Sequence, residues 1–256
     1  MNSSSNNPLV TIITIVFNNV TTIRNAIQSV AYQDYDNIEH IVIDNCSTDG
    51  TIEAVNEQIK DLALFISEPD KGIYHALNKG IELSHGEIIG FLNSDDVLKN
   101  RNVITTIVSE LKLSKSDAVY GDLQYFSKKL PNKISRIWRS GNYSKHKLEF
   151  GWMPPHPTFY TYKDLYVQYG FFDVSYQISS DYDMMLKLLY QNNLRAKYIP
   201  KVLVKMQSGG ISNSLQNLWL KTREDYTIMK KNNFNLFTLF FKTARKLGQL
   251  FIWIRQ

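Results

Sequence analysis

Apolar and polar positions change rhythm repeatedly along the first hundred residues. "VTIITIVF" (10–17) is a nearly unbroken β-branched run, the pattern of a strand buried on both faces. Ile23, Ala26, Ile27, Val30 and Ala31 then recur at helical spacing, with Thr21 or Thr22 as N-cap. "IEHIVID" (38–44) is strand again, and Ile52, Val55 and Ile59 mark a second helix. "LALFIS" (62–67) is a third strand. Ile73, Ala76, Leu77 and Ile81 mark a third helix, with Gly86 set to end it, and "EIIGFL" (87–92) is a fourth strand. This alternation predicts an α/β fold whose parallel sheet is covered on both faces.

Beyond Asn100 the pattern loosens. Val103, Ile107, Val108 and Leu111 give one helix. Short strands follow ("AVYGD", "KISRIWRS"), then an aromatic, Pro-rich loop ("FGWMPPHPTFYTY"), a helix ("DYDMMLKLLYQ"), "VLVKM" and "QSGGISN". No internal repeat or linker interrupts the body; only residues 2–7 read as floppy. The expected organisation is one unit over 1–225, with halves 9–98 and 99–225, followed by a tail over 226–256.

A chain of 256 residues with 43% hydrophobic content can bury a sizeable core. Its one cysteine, Cys46, excludes an internal disulfide framework and a Cys-based zinc site. The first apolar run is too short for a signal peptide, and no stretch reaches the ~18 apolar residues of a membrane span. The net charge of +5 is uneven: from Tyr226 onward there are six Lys/Arg and no Asp/Glu, so the body is slightly acidic. Nucleic-acid binding by the body is therefore not expected.

Three of the four strands run into acids: Asp44, then Asp70 through "SEPD", then Asp95-Asp96 in "FLNSDD". In a parallel sheet the carboxyl ends share one edge, where such folds bind ligands. Each Asp could instead be a turn or cap residue. Two adjacent carboxylates ending a buried strand call for a cation, and hard oxygen ligands suit Mg²⁺ or Mn²⁺. No Gly-rich phosphate loop follows the first strand, so a metal on these carboxylates would neutralise a nucleotide diphosphate instead.

"TIITIVFNN", "IVIDNCSTDGT", "SEPDKGIYHALNKGI", "GEIIGFLNSDD" and "SSDYDMMLKL" together resemble family 2 of the GT-A glycosyltransferases, in that family's order, over roughly residues 9–215. Within it, the sequence looks most like the bacterial branch that builds O-antigen-, capsule- and colanic-acid-like polysaccharides. The resemblance implies a nucleotide-binding half with a mostly parallel sheet, fused to an acceptor-binding half. It implies that the end of the first strand (Phe17, Asn18) and Asp44 hold the base and ribose, and that Asp70 and Lys71 complete the base pocket. The DxD motif matches Asn93-Ser94-Asp95, with Asp95 as metal ligand and Asp96 as second candidate. Asn93 departs from the usual Asp and brings no charge. His75 also stands where many relatives carry Asp.

The base of the family matches Asp181. Inverting transfer needs one carboxylate to take the acceptor hydroxyl's proton; Asp181 could also merely cap a helix, with Asp183 a first-turn charge. Trp152 and His156 stand on the acceptor side, though a Trp or His there also packs in a core. "SGGIS" (208–212) resembles a loop over the donor phosphates. In the tail, Phe237, Phe240, Phe241, Ala244, Leu247, Phe251 and Ile254 follow helical spacing, with Lys242, Arg245, Lys246 and Gln249 opposite. Such a helix lies at a membrane surface, or docks on the body or on a second copy in a homo-oligomer. The expectation is a cytoplasmic, membrane-peripheral, inverting enzyme that moves a sugar from a UDP-type donor to a polyprenyl-diphosphate-linked saccharide. Its rivals are a sugar nucleotidyltransferase, which lacks its Arg-containing Gly loop here, and a non-catalytic sugar-binding relative.

Overall fold

The structure, a computed structural model, describes residues 7–127, 134–207, 215–234, 237–239 and 242. The first hundred residues give β1 (Val10–Val16), α1 (Ile23–Ala31), β2 (Ile38–Asp44), α2 (Thr51–Asn56), β3 (Leu64–Ser67), α3 (Ile73–Leu83), β4 (Ile88–Phe91) and the short β5 (Val97–Leu98). Then come α4 (Val103–Ser114), β6 (Ala118–Phe126), β7 (Ile134–Trp138), α5 (Lys145–Glu149), β8 (Tyr160–Tyr162) and α6 (Lys163–Tyr169). The described chain closes with α7 (Ser180–Met185), which runs into a π-helical turn (Leu186–Gln191), β9 (Ala196–Gln207) and α8 (Leu215–Lys231).

Among the described residues nine strands join one sheet in the order β3-β2-β1-β4-β8-β6-β9-β5, with β7 paired to β6. β1 to β4 are parallel to one another, as the alternation predicts. The change of direction comes at β8, which runs antiparallel to both β4 and β6. Here a bare backbone meets a ring: a Cβ added at Gly90 would lie 2.0 Å from Cε1 of Tyr160. The division at 98/99 does not separate sheets, because β5 pairs with β9. The division at 225/226 falls inside α8.

β1 alternates between packed faces, with Val10 and Ile12 in one cluster and Ile13 in another, while Val16 joins a third with Ile23 and Ile27. Val10 and Ile12 pack with Ala26 and Val30 of α1 and with Ile104, Ile107 and Leu111 of α4. Ile13 packs with Leu77 and Ile81 of α3 and with α7. Each fully buried large side chain contributes about 1.5–3 kcal/mol.

Several local readings change. Ala31 is exposed, and α2 ends before Ile59, which sits half-exposed in a 3₁₀ turn. Thr22 is the N-cap of α1 but makes no side-chain cap; its hydroxyl donates to Ser94 O (2.8 Å). Gly86 lies beyond the Ser84 C-cap of α3, and its requirement is proximity, since an added Cβ would fall 2.3 Å from Thr11 Oγ1.

Candidate functional site

The carboxyl ends of β1 to β4 meet at one edge through short side-chain ties. Asn18, with φ of 46°, donates its N–H to Ser47 Oγ (2.8 Å) and accepts from Thr48 N–H through Oδ1 (2.8 Å). Asn19 Nδ2 donates to Ser94 Oγ (2.9 Å), which joins the β1 and β4 ends. Phe17 is 58% exposed beside them.

Asp44 is fully buried and accepts hydrogen bonds from Ser47 N–H (2.9 Å), Ser47 Oγ and Ser67 Oγ (2.6 Å). Its charge is thus spent on shaping the "NCSTDG" loop and tying β3 to β2. Asp70 is held by its own N–H on Asn45 Oδ1 (2.6 Å) and by Lys79 Nζ on Oδ1 (2.8 Å). Its Oδ2 is buried without a partner. Lys71 is exposed, next to Gly72, whose φ of 131° carries the turn into α3.

At the end of β4, Asp96 N–H closes a turn on Asn93 O (3.0 Å), and Asn93 Nδ2 donates to Asp96 Oδ2 (2.8 Å). Asn93 therefore supports the second carboxylate rather than adding a third. Asp96 is fully buried, Asp95 half-buried, and Ser94 buried. Burial, and then the Asp95 charge, push the Asp96 carboxyl well above the usual carboxylate range, against hydrogen bonds from Asn93 and the Gln207 backbone. Asp96 Oδ1 has no partner. Among the described residues no three His, Cys, Asp or Glu side chains gather to hold an ion. The donor set is thus all oxygen and small, Asp95 with the orphaned Asp96 atom. It fits a hard divalent cation that completes its shell with other oxygens.

Asp181 stands in the first turn of α7, half-buried, with Oδ1 accepting Tyr182 N–H (2.8 Å). The N-cap is Ser179, so Asp181 does not cap the helix. Asp183 is more than a surface charge: it is 1% exposed and lies 3.4 Å from Lys231 Nζ. Two contacts from the β4 side lie near this helix. Tyr74 OH of α3 donates to Ile178 O (2.6 Å), and the His156 ring stacks on Phe91 at 4.9 Å between centroids. Burial pushes the His156 imidazole below its ordinary pKa, while the nearby Asp181 charge acts the other way. Its Nε2 is buried without a partner.

Trp152 does not present the sugar-stacking face the sequence offered. It is 7% exposed, its indole N–H donates to Ser140 O (3.1 Å), and its ring meets Tyr120 edge-on, so it packs as core. "SGGIS" lies outside the described residues, as do Phe240, Phe241, Ala244, Arg245, Lys246, Leu247, Gln249, Phe251 and Ile254 of the tail. Of the described tail residues, Phe237 is exposed and Thr238 Oγ1 donates to Glu149 O (2.6 Å). Lys242 corrects the reading of a solvent-facing basic stripe. Its Nζ lies 2.9 Å from Asp225 and 3.1 Å from the centroid of the Tyr182 ring. A cavity of about 460 Å³ beside Glu149, Tyr190, Phe234 and Phe237 shares no residue with the carboxylate edge.

Sequence reasoning missed Tyr74, Lys79, Glu224 and Lys242 as partners of the site. Lys79 and Tyr74 lie on the predicted third helix within a turn or two of Asp70. Nothing in the local pattern marks Glu224.

The sequence model of the family described as "Glycosyl transferase family 2" matches residues 11–173. The chain is similar to a PGL/p-HBAD biosynthesis glycosyltransferase of Mycobacterium bovis, 24% identical over 213 residues covering 81% of this chain and 80% of the relative. It is also similar to an uncharacterized glycosyltransferase of Rickettsia typhi, 31% identical over 196 residues covering 74% and 61%. Among solved structures, S. aureus TarS 1–349 in complex with UDP-GlcNAc superposes with a TM-score of 0.65 at 18% identity, over 89% of this chain and 68% of that one. The Pyrobaculum calidifontis mannosyltransferase PcManGT, in complex with GDP-Man and Mn²⁺, gives 0.63 at 21% identity, over 89% and 65%. The chain spans 44% of the longer TarS structure. At these identities the likeness establishes the GT-A fold.

Proposed function

The chain belongs to glycosyl transferase family 2, and on that premise we propose that it is an inverting enzyme that moves a sugar from a UDP-type donor to a polyprenyl-diphosphate-linked saccharide, in assembly of an O-antigen-like surface polysaccharide. The observation that carries the reading is a pair of remote acidic groups linked through shared neighbours: Asp95-Asp96 follow β4, Asp181 opens α7 behind a backbone tied to α3 by Tyr74 OH on Ile178 O, and the Asp181 charge acts on His156, whose ring stacks on Phe91 of β4.

In this reading the β1 to β3 ends bind the nucleotide. Phe17, Asn18 and Ser94 line its approach, Lys71 is an exposed cation at the base pocket, and the unpartnered Oδ2 of Asp70 awaits a donor group. Asp44 acts from beneath, by fixing the loop. Mn²⁺ or Mg²⁺, held by Asp95 with Asp96 beside it, would supply positive charge for the departing diphosphate. Asp181 accepts the proton of the acceptor hydroxyl as its oxygen bonds to the anomeric carbon and the bond to the diphosphate breaks. One carboxylate suffices, because a second is needed as nucleophile only when configuration is retained. His156 borders the acceptor side, its buried Nε2 unpartnered.

The tail, 226–256, is the element assigned to an anionic membrane surface on the cytoplasmic side. Its excess of Lys/Arg supports this. Among the described residues no helix is long and apolar enough to cross a membrane. Vesicle flotation of the full chain at low and high salt checks the assignment.

The decisive experiment assays a panel of nucleotide sugars with and without Mn²⁺, with product mass spectrometry, for the wild type and Asp95→Asn. Loss of most divalent-dependent turnover is expected, because the ion supplies several kcal/mol of charge stabilisation. Full activity of the variant in EDTA overturns the metal assignment. An absence of both transfer and donor hydrolysis favours the non-catalytic relative.

A further inference from the structure

Glu224 on α8 is a buried carboxylate that the proposed reaction does not use. Its Oε1 accepts the N–H of Gln177 (2.7 Å), and its Oε2 accepts those of Ile178 (3.0 Å) and Ser179 (2.9 Å). Three consecutive backbone donors thus converge on one side chain, immediately before Ser180 and Asp181. Residues 170–179 carry no helix or strand that could satisfy those donors from within. Buried donors left unpaired cost about 1–3 kcal/mol each, and bonds to a charged acceptor are the stronger kind.

The same peptide is gripped from its other side. Tyr74 OH donates to Ile178 O at 2.6 Å, so residue 178 has its N–H fixed by α8 and its carbonyl fixed by α3. α8 touches α7 again through Lys231 and Asp183. None of the Glu224 bonds reaches the Asp181 side chain, so any effect on chemistry passes through the backbone.

We propose that Glu224 is a positioning residue for the base: by collecting the N–H groups of 177–179 it sets where α7 begins, and with it where the Asp181 carboxylate stands. This rests on the reading of Asp181 as the base. A proton acceptor works only within hydrogen-bond reach of its proton. A displacement of about 1 Å at such a group costs about 10²-fold in rate.

The test is a double-mutant cycle on the full chain. Turnover, donor KM and melting temperature are measured for Glu224→Gln, Glu224→Ala, Asp181→Asn and Glu224→Gln/Asp181→Asn. Glu224→Gln keeps the volume and one carbonyl acceptor. It should lower kcat about 10-fold and Glu224→Ala about 10²-fold, with donor KM changed less than about twofold. On top of Asp181→Asn, Glu224→Gln should change kcat less than about twofold, because no base is left to place. If Glu224→Ala does not fold, the Gln variant carries the test. Wild-type kcat in Glu224→Gln overturns the proposal, and so does an equal fold-loss in both backgrounds, which marks a general structural role. Wild-type turnover in Asp181→Asn removes the base assignment and the proposal together. A slow Asp181→Asn beside a normal Glu224→Gln removes the proposal alone.

Discussion

At the end of β2, Asp44 takes its hydrogen bonds from Ser47, three positions on, and from Ser67 on the adjoining strand. At the start of α7, the backbone before Asp181 is held by Glu224, 45 to 47 positions on, and by Tyr74, 104 positions back. The edge at the β1 to β4 ends is therefore built from its own loops, while the start of α7 is held by distant elements, which under the proposed reading aim the base. Polar atoms follow the same division. Along the first edge most are paired within the edge itself, Asp70 Oδ2 and Asp96 Oδ1 excepted. Around α7 the Ser179, Ser180 and Tyr182 hydroxyls and one Asp183 oxygen are buried without a hydrogen-bond partner. An edge tied within itself should tolerate damage elsewhere better than a helix start held by distant elements.

The largest expected break in this contrast is Asp181→Asn. It removes the proton acceptor and nearly keeps the shape, so turnover should fall about 10²- to 10⁴-fold. Donor KM should stay near the wild-type value, because the nucleotide edge is untouched. Steady-state kinetics check this, and near-normal turnover by a folded variant removes Asp181 from the mechanism.

Lys242→Met comes next. It leaves Asp225, 8% exposed, without its close partner; Lys221 stands 4.0 Å away. Removing one member of a buried pair costs about 3–5 kcal/mol, and with Lys221 nearby the lower end is expected. Urea unfolding measures the loss, and Asp225→Asn on top of it should recover part. UDP binding to the folded fraction should not change. If Lys242→Met is as stable as wild type, the tail is not latched to the body.

The smallest effect lies on the nucleotide side. His40 faces Thr14 Oγ1 at 3.0 Å, and burial lowers its pKa from 6.5 to about 3. Between those values the unfolded chain binds a proton that the folded chain refuses, so stability falls as pH drops from about 6.5 toward 3. The slope is at most ~1.4 kcal/mol per pH unit. His40→Gln should flatten that slope in acid unfolding curves without removing it, because burial lowers His156 in the same direction. An unchanged slope would mean that His40 titrates normally.

The sequence made the nucleotide half legible because its signals are local. The β-branched run of β1 and the 3.6-residue spacing of Ile23, Ala26, Ile27 and Val30 state both the element and its buried face. The Asp95-Asp96 doublet was conspicuous for the same reason, since its repulsion is between neighbours. Thr22 shows the limit. Its type fits an N-cap, but its hydroxyl ties down Ser94, a tertiary use no window reveals. Trp152 and Lys242 stayed ambiguous in the sequence because amphipathic residues admit two environments, and which one holds depends on Tyr120 and Asp225, remote in the chain. Glu224 was invisible because backbone N–H groups, its ligands, leave no mark on side-chain pattern.

The seam between β4 and β8 bears on how substrates come and go. The two strands are stitched along a shared edge, Ile88 with Tyr162 and Ile89 with Thr161, and the Tyr160 ring lies flush on Gly90. Opening them like a clamshell would tear that edge and leave buried amides unpaired. The joint is therefore a weld, not a hinge. Movement of loops around a fixed frame is then the cheaper route for substrates to come and go, and the frame should melt as one cooperative block.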